Sequence, residues 1–241
     1  MGPIAGNLQA VLQRIERAAA AAGRDPASVQ LLAVSKTWPA ACVEEAFRAG
    51  QHAFGENQEQ EATPKIAALA HLPIEWHFIG PIQSNKTRPI ADQFAWVHSL
   101  EREKVARRLS EQRPDGLPPL MVCVQVNVSG ETTKSGVSPA DALALARFVA
   151  KLPRLRLRGL MTIPAPSDDA AVQRSQFRRL RELCDDLRSH GLALDTLSMG
   201  MSDDLEAAVM EGATLVRVGT AIFGTRGKAA ATGARLDSVD H

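Results

Sequence analysis

Three consecutive segments read LMVCVQVNV (residues 120–128), SPADALALARFVA (138–150) and LRLRGLMTI (155–163). The first is almost continuously apolar, as in a strand that is buried on both faces of a parallel sheet, and the third has apolar residues at 155, 157, 160, 161 and 163. The middle segment begins with Ser138, a favoured helix N-cap, followed by Pro139, which suits the first helical position. These segments therefore predict a strand, a helix and a second, parallel strand.

The same alternation of strand and helix patterns extends over the whole chain. The predicted strands are Gln30–Ser35, His52–Phe54, Ile74–Ile79, Ala95–His98, Leu120–Val128, Leu155–Ile163, Thr196–Met199 and Leu215–Val218. Helical spacing of Leu8, Val11 and Ile15 predicts an extra helix before the first strand, and Phe177 to Leu187 supply the apolar face of a later one. Gly50 and Gly212 are suited to end two further helices.

Eight strand and helix units without a linker-like change in composition predict an α/β fold, a single (β/α)8 TIM barrel domain with an extra N-terminal helix. A doubly wound open sheet is the alternative. The domain is expected to span residues 1–241, with the Ala- and Gly-rich tail 227–241 poorly ordered.

Composition narrows the class of ligand. The 241 residues contain 28 Lys and Arg against 27 Asp and Glu, so the net charge of +1 favours neither nucleic acid nor an anionic membrane as partner. No charge-free segment is long enough to span a bilayer. The three cysteines, Cys42, Cys123 and Cys184, are far apart in sequence and indicate a reducing cytoplasm rather than disulfides or a zinc site. A small-molecule ligand is therefore expected.

In a barrel of this class the functional residues follow the carboxyl ends of the strands. Lys36 follows the apolar run of the first predicted strand, where burial would favour a neutral, nucleophilic amine able to form a Schiff base with an aldehyde. A lysine whose stem packs on the rim and whose charge reaches water is the alternative.

An anion site is predicted after strands seven and eight. Gly219 and Thr220 open a short helical run, so their backbone N–H groups can face a phosphate, and Ser202 follows strand seven. Helix capping by Ser202 and a tight corner at Gly219 are the alternative explanation. Arg217 lies within strand eight, where its charge requires an acceptor, either a ligand or a buried ion-pair partner.

The sequence resembles the pyridoxal phosphate homeostasis protein family over about residues 5–226. The matching segments are AVSK (33–36), FGENQ (54–58), WHFIG (76–80), QSNK (83–86), KSG (134–136), LSMGMSDD (197–204) and RVGTAIFG (217–224). The resemblance implies a barrel like the N-terminal domain of alanine racemases, with the cofactor pyridoxal 5'-phosphate (PLP) in its mouth.

The resemblance also implies roles for individual residues. Lys36 matches the lysine that holds PLP as an internal aldimine, and Ser202, Gly219 and Thr220 match phosphate-binding positions. Arg217 matches the residue facing the pyridine nitrogen.

Further residues match with less direct roles. Asn57 matches a ring-contacting position, and His77 and Met161 are expected to line the pocket. A solvated surface position is expected for three other lysines, with transient cofactor attachment as the alternative for each: Lys65, Lys86 and Lys134.

Two functional classes follow. One is a non-catalytic carrier in vitamin B6 homeostasis, which acts on amino acids only indirectly, with PLP-dependent apo-enzymes as its candidate partners. The other is a PLP-dependent amino-acid racemase or decarboxylase, and a barrel without a cofactor is a third possibility. The chain contains no tyrosine, the residue type that supplies the second acid/base in the alanine racemases it resembles, although His77 or Cys123 are possible substitutes. The carrier is favoured, as a monomer or weak dimer, because no second domain is expected after the barrel.

Overall fold

A computed structural model describes residues 2–131 and 134–225 of the chain. Its strands are β1 (Gln30–Val34), β2 (Ala53–Glu56), β3 (Glu75–Phe78), β4 (Trp96–Leu100), β5 (Leu120–Gln125), β6 (Leu155–Met161), β7 (Thr196–Ser198) and β8 (Leu215–Val218). Its α-helices are α1 (Pro3–Ala21), α2 (Ala40–Arg48), α3 (Glu59–Ala68), α4 (Thr87–Gln93), α5 (Glu103–Gln112), α6 (Pro139–Ala150), α7 (Ala170–Ser189), α8 (Leu205–Met210) and α9 (Thr220–Phe223).

The eight strands pair in chain order, all parallel, and β8 pairs with β1 to close the barrel. Leu32 of β1 lies in register with Arg217 of β8 at this closure. The predicted (β/α)8 barrel is therefore confirmed, and the open-sheet alternative is wrong because such a sheet leaves two unpaired edge strands.

The helices form where the sequence patterns predict them. Ser138 caps α6, its hydroxyl accepting a hydrogen bond from the Asp141 N–H at 3.2 Å. The predicted apolar face of α7 is fully buried from Phe177 to Leu187. Gly50 and Gly212 follow α2 and α8 with φ angles of 100° and 98°, a conformation that glycine adopts without strain.

The extra helix α1 packs against α8 and α9, the two helices that follow β7 and β8. Its buried side chains recur at helical spacing and include Leu8, Val11 and Ile15, as predicted. The Asn7 side-chain amide donates to the Ile222 carbonyl at 2.9 Å. The extra helix thus supports the part of the barrel where the anion site is predicted.

Five strands end earlier than predicted, three of them (β1, β3 and β7) by one residue and β5 and β6 by more. The predicted strand 120–128 ends at Gln125, and 155–163 ends at Met161. Val126 and Val128 stay buried after β5 has ended, so the apolar pattern continues beyond the hydrogen-bonded ladder.

In residues 2–131 and 134–225, no helix has the length and apolar character needed to cross a membrane. The predicted disorder of the tail concerns residues outside those described.

Candidate functional site

A cavity of about 620 Å³ opens at the carboxyl ends of the strands. Six of the eight predicted site residues line it, namely Lys36, Asn57, Ser202, Arg217, Gly219 and Thr220. Parallel strands that close into a barrel bring their carboxyl ends to one mouth, so residues far apart in sequence meet there. The cavity therefore joins the predicted lysine and the predicted anion site in one place.

Lys36 stands just beyond the end of β1 and is half-buried, followed by Thr37 with a φ of 66°. A non-glycine residue in this left-handed region is uncommon and marks a chain held by its surroundings. Lys36 thus lines the cavity at a turn of the chain.

A buried ion pair fixes the backbone beside Lys36. The Lys65 ammonium donates to the Ser35 carbonyl at 2.8 Å and contacts Glu56 Oε1 at 2.5 Å. The Ser35 hydroxyl donates to the same Glu56 oxygen at 2.6 Å. Burial raises the pKa of Glu56, while the Lys65 charge and these hydrogen bonds oppose the increase.

The position of Lys65 corrects the sequence-based expectation of a solvated surface lysine. Its side chain is only 7% exposed, because α3 turns it inward onto Glu56. Lys86 is half-buried and pairs with Glu59 at 2.9 Å, and Lys134 donates to the Pro164 carbonyl at 3.1 Å. None of these three lysines lines the cavity.

The predicted anion site has donors with no partner within the described residues. The backbone N–H groups of Thr220 and Ala221, at the start of α9, form no hydrogen bond there, and both residues line the cavity. Gly219 allows a close approach between β8 and β1, since a Cβ at this position would lie 3.1 Å from the Val34 carbonyl oxygen. The N-terminal turn of α9 therefore lies close to the end of β1 and lines the cavity.

Ser202 is not a helix cap, contrary to the capping alternative. Asp204 occupies the N-cap of α8 and accepts a hydrogen bond from the Met201 N–H at 2.5 Å. The Ser202 hydroxyl has no protein partner among the described residues, and its carbonyl accepts a hydrogen bond from Arg14 of α1 at 2.9 Å. Arg14 also lines the cavity, a contact that its sequence position in the extra helix did not indicate.

Arg217 reaches the cavity from inside the barrel and is 3% exposed. Its guanidinium donates to the Ser198 hydroxyl at 2.7 Å and to the Thr162 carbonyl at 2.8 Å. Burial lowers the pKa of Arg217 to about 10, although the nearby Asp204 opposes this. Arg217 therefore carries a buried positive charge held by neutral groups.

His77 and Met161 do not line the cavity as expected. Both are fully buried inside the barrel. Both belong to the hydrogen-bonded parts of β3 and β6, where inward side chains fill the barrel interior below the strand ends. His77 instead bonds His98 at 2.8 Å and Glu75 at 2.9 Å.

The described residues offer no group of three or more His, Cys, Asp or Glu side chains that could hold a metal ion. The cavity instead presents a primary amine, unpaired N–H and hydroxyl donors, and a buried guanidinium. This combination suits a small anionic ligand that also carries an electrophilic carbon.

Comparisons with known proteins agree with these features. Residues 6–227 match the family model described as alanine racemase, N-terminal domain. A pyridoxal phosphate homeostasis protein of Pseudomonas aeruginosa is 66% identical over 226 residues, covering 94% of this chain and 97% of that protein.

Solved structures show the same fold. PipY of Synechococcus elongatus, in a structure with PLP bound, matches with a TM-score of 0.76 at 40% identity, covering 87% of this chain and 99% of that chain. Alanine racemase from Corynebacterium glutamicum matches with a TM-score of 0.68 at 19% identity, covering 92% of this chain and 60% of that chain. The last match concerns the fold alone. Since high identity extends over nearly the full length of both chains, this chain belongs to the pyridoxal phosphate homeostasis protein family, whose barrel is the alanine racemase N-terminal domain.

Proposed function

We propose that this protein binds PLP in the cavity at the barrel mouth and acts in intracellular vitamin B6 homeostasis without substantial catalysis of its own. The observation that carries the proposal is the meeting of Lys36 with an anion site in one cavity of about 620 Å³. PLP needs both, since its aldehyde reacts with a primary amine and its phosphate requires hydrogen-bond donors.

The donor set fits PLP group by group. The N–H groups of Thr220 and Ala221 have no protein partner within the described residues, and neither has the Ser202 hydroxyl, so all three are available to a phosphate. Lys36 is assigned to the aldehyde, Arg217 to the pyridine nitrogen and Asn57 to the ring.

Arg217 affects the chemistry of the bound cofactor. A guanidinium donates hydrogen bonds and accepts no proton, so a ring nitrogen facing Arg217 would stay unprotonated and the ring would be a weaker electron sink. Bound PLP supplies a reactive aldehyde and that ring. Lys36 would hold the aldehyde carbon, and the donors at α9 and Ser202 would orient the phosphate.

The cavity lining supports a carrier over a racemase. Among the described lining residues the ionisable side chains are Arg14, Lys36, Asp203 and Arg217, and Asp203 lies exposed at the rim. His77 and Cys123, the candidates for a second acid/base, are fully buried away from the cavity. Burial also raises the pKa of the Cys123 thiol far above its ordinary value.

The test is to load purified protein with PLP, reduce it with borohydride and locate the adduct by peptide mass mapping. Lys36→Ala is expected to abolish the visible absorbance band and the adduct at residue 36. Lys86→Ala, which removes a lysine outside the cavity, serves as the matched control and should keep both. An unchanged band and adduct in Lys36→Ala would refute the assignment, and transfer of the adduct to Lys65 or Lys134 would indicate that these lysines take part in cofactor hand-over.

We further infer a cytoplasmic location, supported by three cysteines that form no disulfide in the structure.

PLP-dependent apo-enzymes are the proposed partners, and a monomer or weak dimer is the proposed assembly. Mixing PLP-loaded protein with an apo-aminotransferase, beside an equal concentration of free PLP, tests the hand-over. Both mixtures contain a phosphatase that destroys free PLP. If the loaded protein reactivates the apo-enzyme no faster than free PLP does, direct hand-over is contradicted.

A further inference from the structure

A continuous row of hydrogen bonds crosses the interior of the barrel, starting at the residue assigned to the cofactor ring. Arg217 Nη1 lies 2.7 Å from Ser198 Oγ, which lies 2.7 Å from His98 Nδ1. His98 Nε2 lies 2.8 Å from His77 Nδ1, and His77 Nε2 lies 2.9 Å from Glu75 Oε1. The row therefore links the cavity to the opposite end of the barrel.

The two ends of the row fix the direction of every hydrogen bond in it. The Glu75 carboxylate accepts only, so His77 carries its proton on Nε2 and its Nδ1 accepts from His98. His98 then carries its proton on Nε2, and its Nδ1 accepts from the Ser198 hydroxyl. The Ser198 oxygen in turn accepts from Arg217, which donates only, so all four bonds point from Arg217 to Glu75.

This arrangement requires both imidazoles to be neutral, and their burial supports that state. His77 and His98 are both fully buried. Burial lowers the pKa of each, outweighing the opposing effect of Glu75 at His77, and the His77 ring and the Arg217 charge add to the decrease at His98. Only Glu75, with its side chain 45% exposed, reaches solvent.

Packing holds the row in place. Trp96 stacks on the His77 ring with centroids 5.4 Å apart and an interplanar angle of 5°. Ser198, His98 and Arg217 have almost no exposed surface. No carboxylate lies within ion-pair distance of Arg217 among the described residues, so the groups in direct contact with its charge are the Ser198 hydroxyl and the Thr162 carbonyl.

We propose that Ser198, His98, His77 and Glu75 form a positioning relay that holds the Arg217 guanidinium toward the ring nitrogen of PLP and thereby sets the electron demand of the bound cofactor. The proposal rests on the proposed function, because it needs PLP in the cavity. The relay residues touch Arg217 or one another and act on the cofactor only through Arg217. Its exposed end at Glu75 lies at the start of β3, on the opposite side of the barrel from the cavity.

The first experiment examines the relay without cofactor. Long-range ¹⁵N–¹H correlation spectra of the cofactor-free protein report which ring nitrogen of each histidine carries the proton. Both His77 and His98 are expected as neutral rings protonated at Nε2. A proton on Nδ1 of His98, or a charged ring at either position, would reverse or break the row and overturn the relay.

The second experiment measures the cofactor itself with ¹⁵N-labelled PLP. In His98→Leu the ring-nitrogen shift is expected to move toward that of a free pyridine, and PLP release should accelerate by roughly two- to tenfold, the range for losing one buried hydrogen bond. His98→Gln keeps an acceptor for Ser198 and a donor for His77, so it should restore most of the wild-type shift. Val97→Ala is the matched control, because Val97 is the neighbouring buried residue of β4 on the opposite face.

Ser198→Ala is a smaller change that tests the same point if His98→Leu fails to fold, and the same direction of shift is expected. The relay is overturned if every folded relay variant shows the same ring-nitrogen shift and PLP release rate as Val97→Ala. That outcome would leave the proposed function intact. A wild-type protein that shows no visible PLP band and no reducible adduct would overturn the proposed function, and with it the tie between relay and cofactor.

Discussion

Lys36 depends on side chains that never reach the cavity. The Lys65 and Glu56 side chains, 7% and 0% exposed, hold Ser35, the residue before Lys36: Lys65 donates to its carbonyl and Glu56 accepts from its hydroxyl. Breaking such a buried pair leaves one charge without a partner, which is far more costly than losing an exposed pair. We infer that this pair determines where the chain leaves β1 and hence where the Lys36 amine enters the cavity.

At the same scale, Ser202 tests the phosphate site. Ser202→Ala is expected to weaken PLP binding by about 1.5–3 kcal/mol, or roughly 10- to 150-fold in the dissociation constant, since it removes one hydrogen bond to a charged acceptor. The backbone donors at α9 remain, so binding is weakened and not abolished. Equilibrium titration of visible absorbance measures the change.

Pyridoxal, which lacks the phosphate, provides the control for Ser202. It should bind the wild-type protein more weakly than PLP does, and Ser202→Ala should leave its affinity unchanged. Equal affinity of the wild type for pyridoxal and PLP would show that the cavity has no anion site at this position.

Among the elements, helix α1 contains a glycine whose replacement is expected to stabilise the folded protein. Gly6 lies inside this helix, and a Cβ built there meets no atom within 4 Å. Gly6→Ala is therefore expected to raise the free energy of unfolding by about 0.5–1 kcal/mol, the helix-propensity difference between the two residues. Urea denaturation of the cofactor-free protein measures it.

Gly159 of β6 is the matched contrast, because a Cβ there would overlap the Thr196 carbonyl of β7. Gly159→Ala should lower the free energy of unfolding by about 1–3 kcal/mol, as overpacking of a close backbone contact requires the strands to separate. A stabilising effect at Gly159, or a destabilising one at Gly6, would contradict this account of the two positions.

The contact between α7 and the end of α8 depends on a carboxylate that is 1% exposed. Glu211 pairs with Arg174, Arg178 and Arg181 of α7 at 2.8, 3.0 and 3.0 Å. Burial acts to raise the pKa of Glu211, but hydrogen bonds from Arg178 and Arg174 outweigh it and hold the pKa below its ordinary value.

Because the folded-state pKa of Glu211 is depressed, its contribution to stability is complete above the unfolded pKa of about 4.3 and disappears as pH falls through the folded value. Glu211→Gln should therefore be less stable than the wild type at pH 7, and the difference should shrink below pH of about 4. Urea denaturation across this pH range measures it, with the exposed Glu182→Gln as control. A difference that does not change with pH would contradict the role of the ionised carboxylate.

At the scale of the whole molecule, the cavity geometry predicts the absence of racemase and decarboxylase turnover. The holo-protein, incubated with L-alanine, L-serine and L-ornithine in deuterated water, is expected to show negligible α-deuterium incorporation, because no second acid/base group faces Lys36 in the described cavity except Asp203 at its rim. An alanine racemase assayed in parallel is the positive control. Deuterium incorporation or loss of optical purity at enzyme-like rates would overturn the carrier proposal.

The sequence by itself determined the barrel and most of the cavity. Alternating strand and helix patterns are local, with periods of about two and 3.6 residues, so they are readable without knowing any contact. Closure of eight parallel strands then brings their carboxyl ends together, and this rule alone predicted that Lys36, Ser202 and Thr220 meet.

Tertiary structure alone decided which side chains stay inside the barrel. His77 and Met161 were expected to line the pocket, yet strand register turns them into the interior, and Lys65 on α3 turns inward to Glu56 instead of toward water. The row from Arg217 to Glu75 joins residues of β3, β4, β7 and β8, which no local pattern relates. Such contacts depend on how far each strand is shifted against its neighbours around the closed barrel, and that stagger is fixed only when the whole core packs.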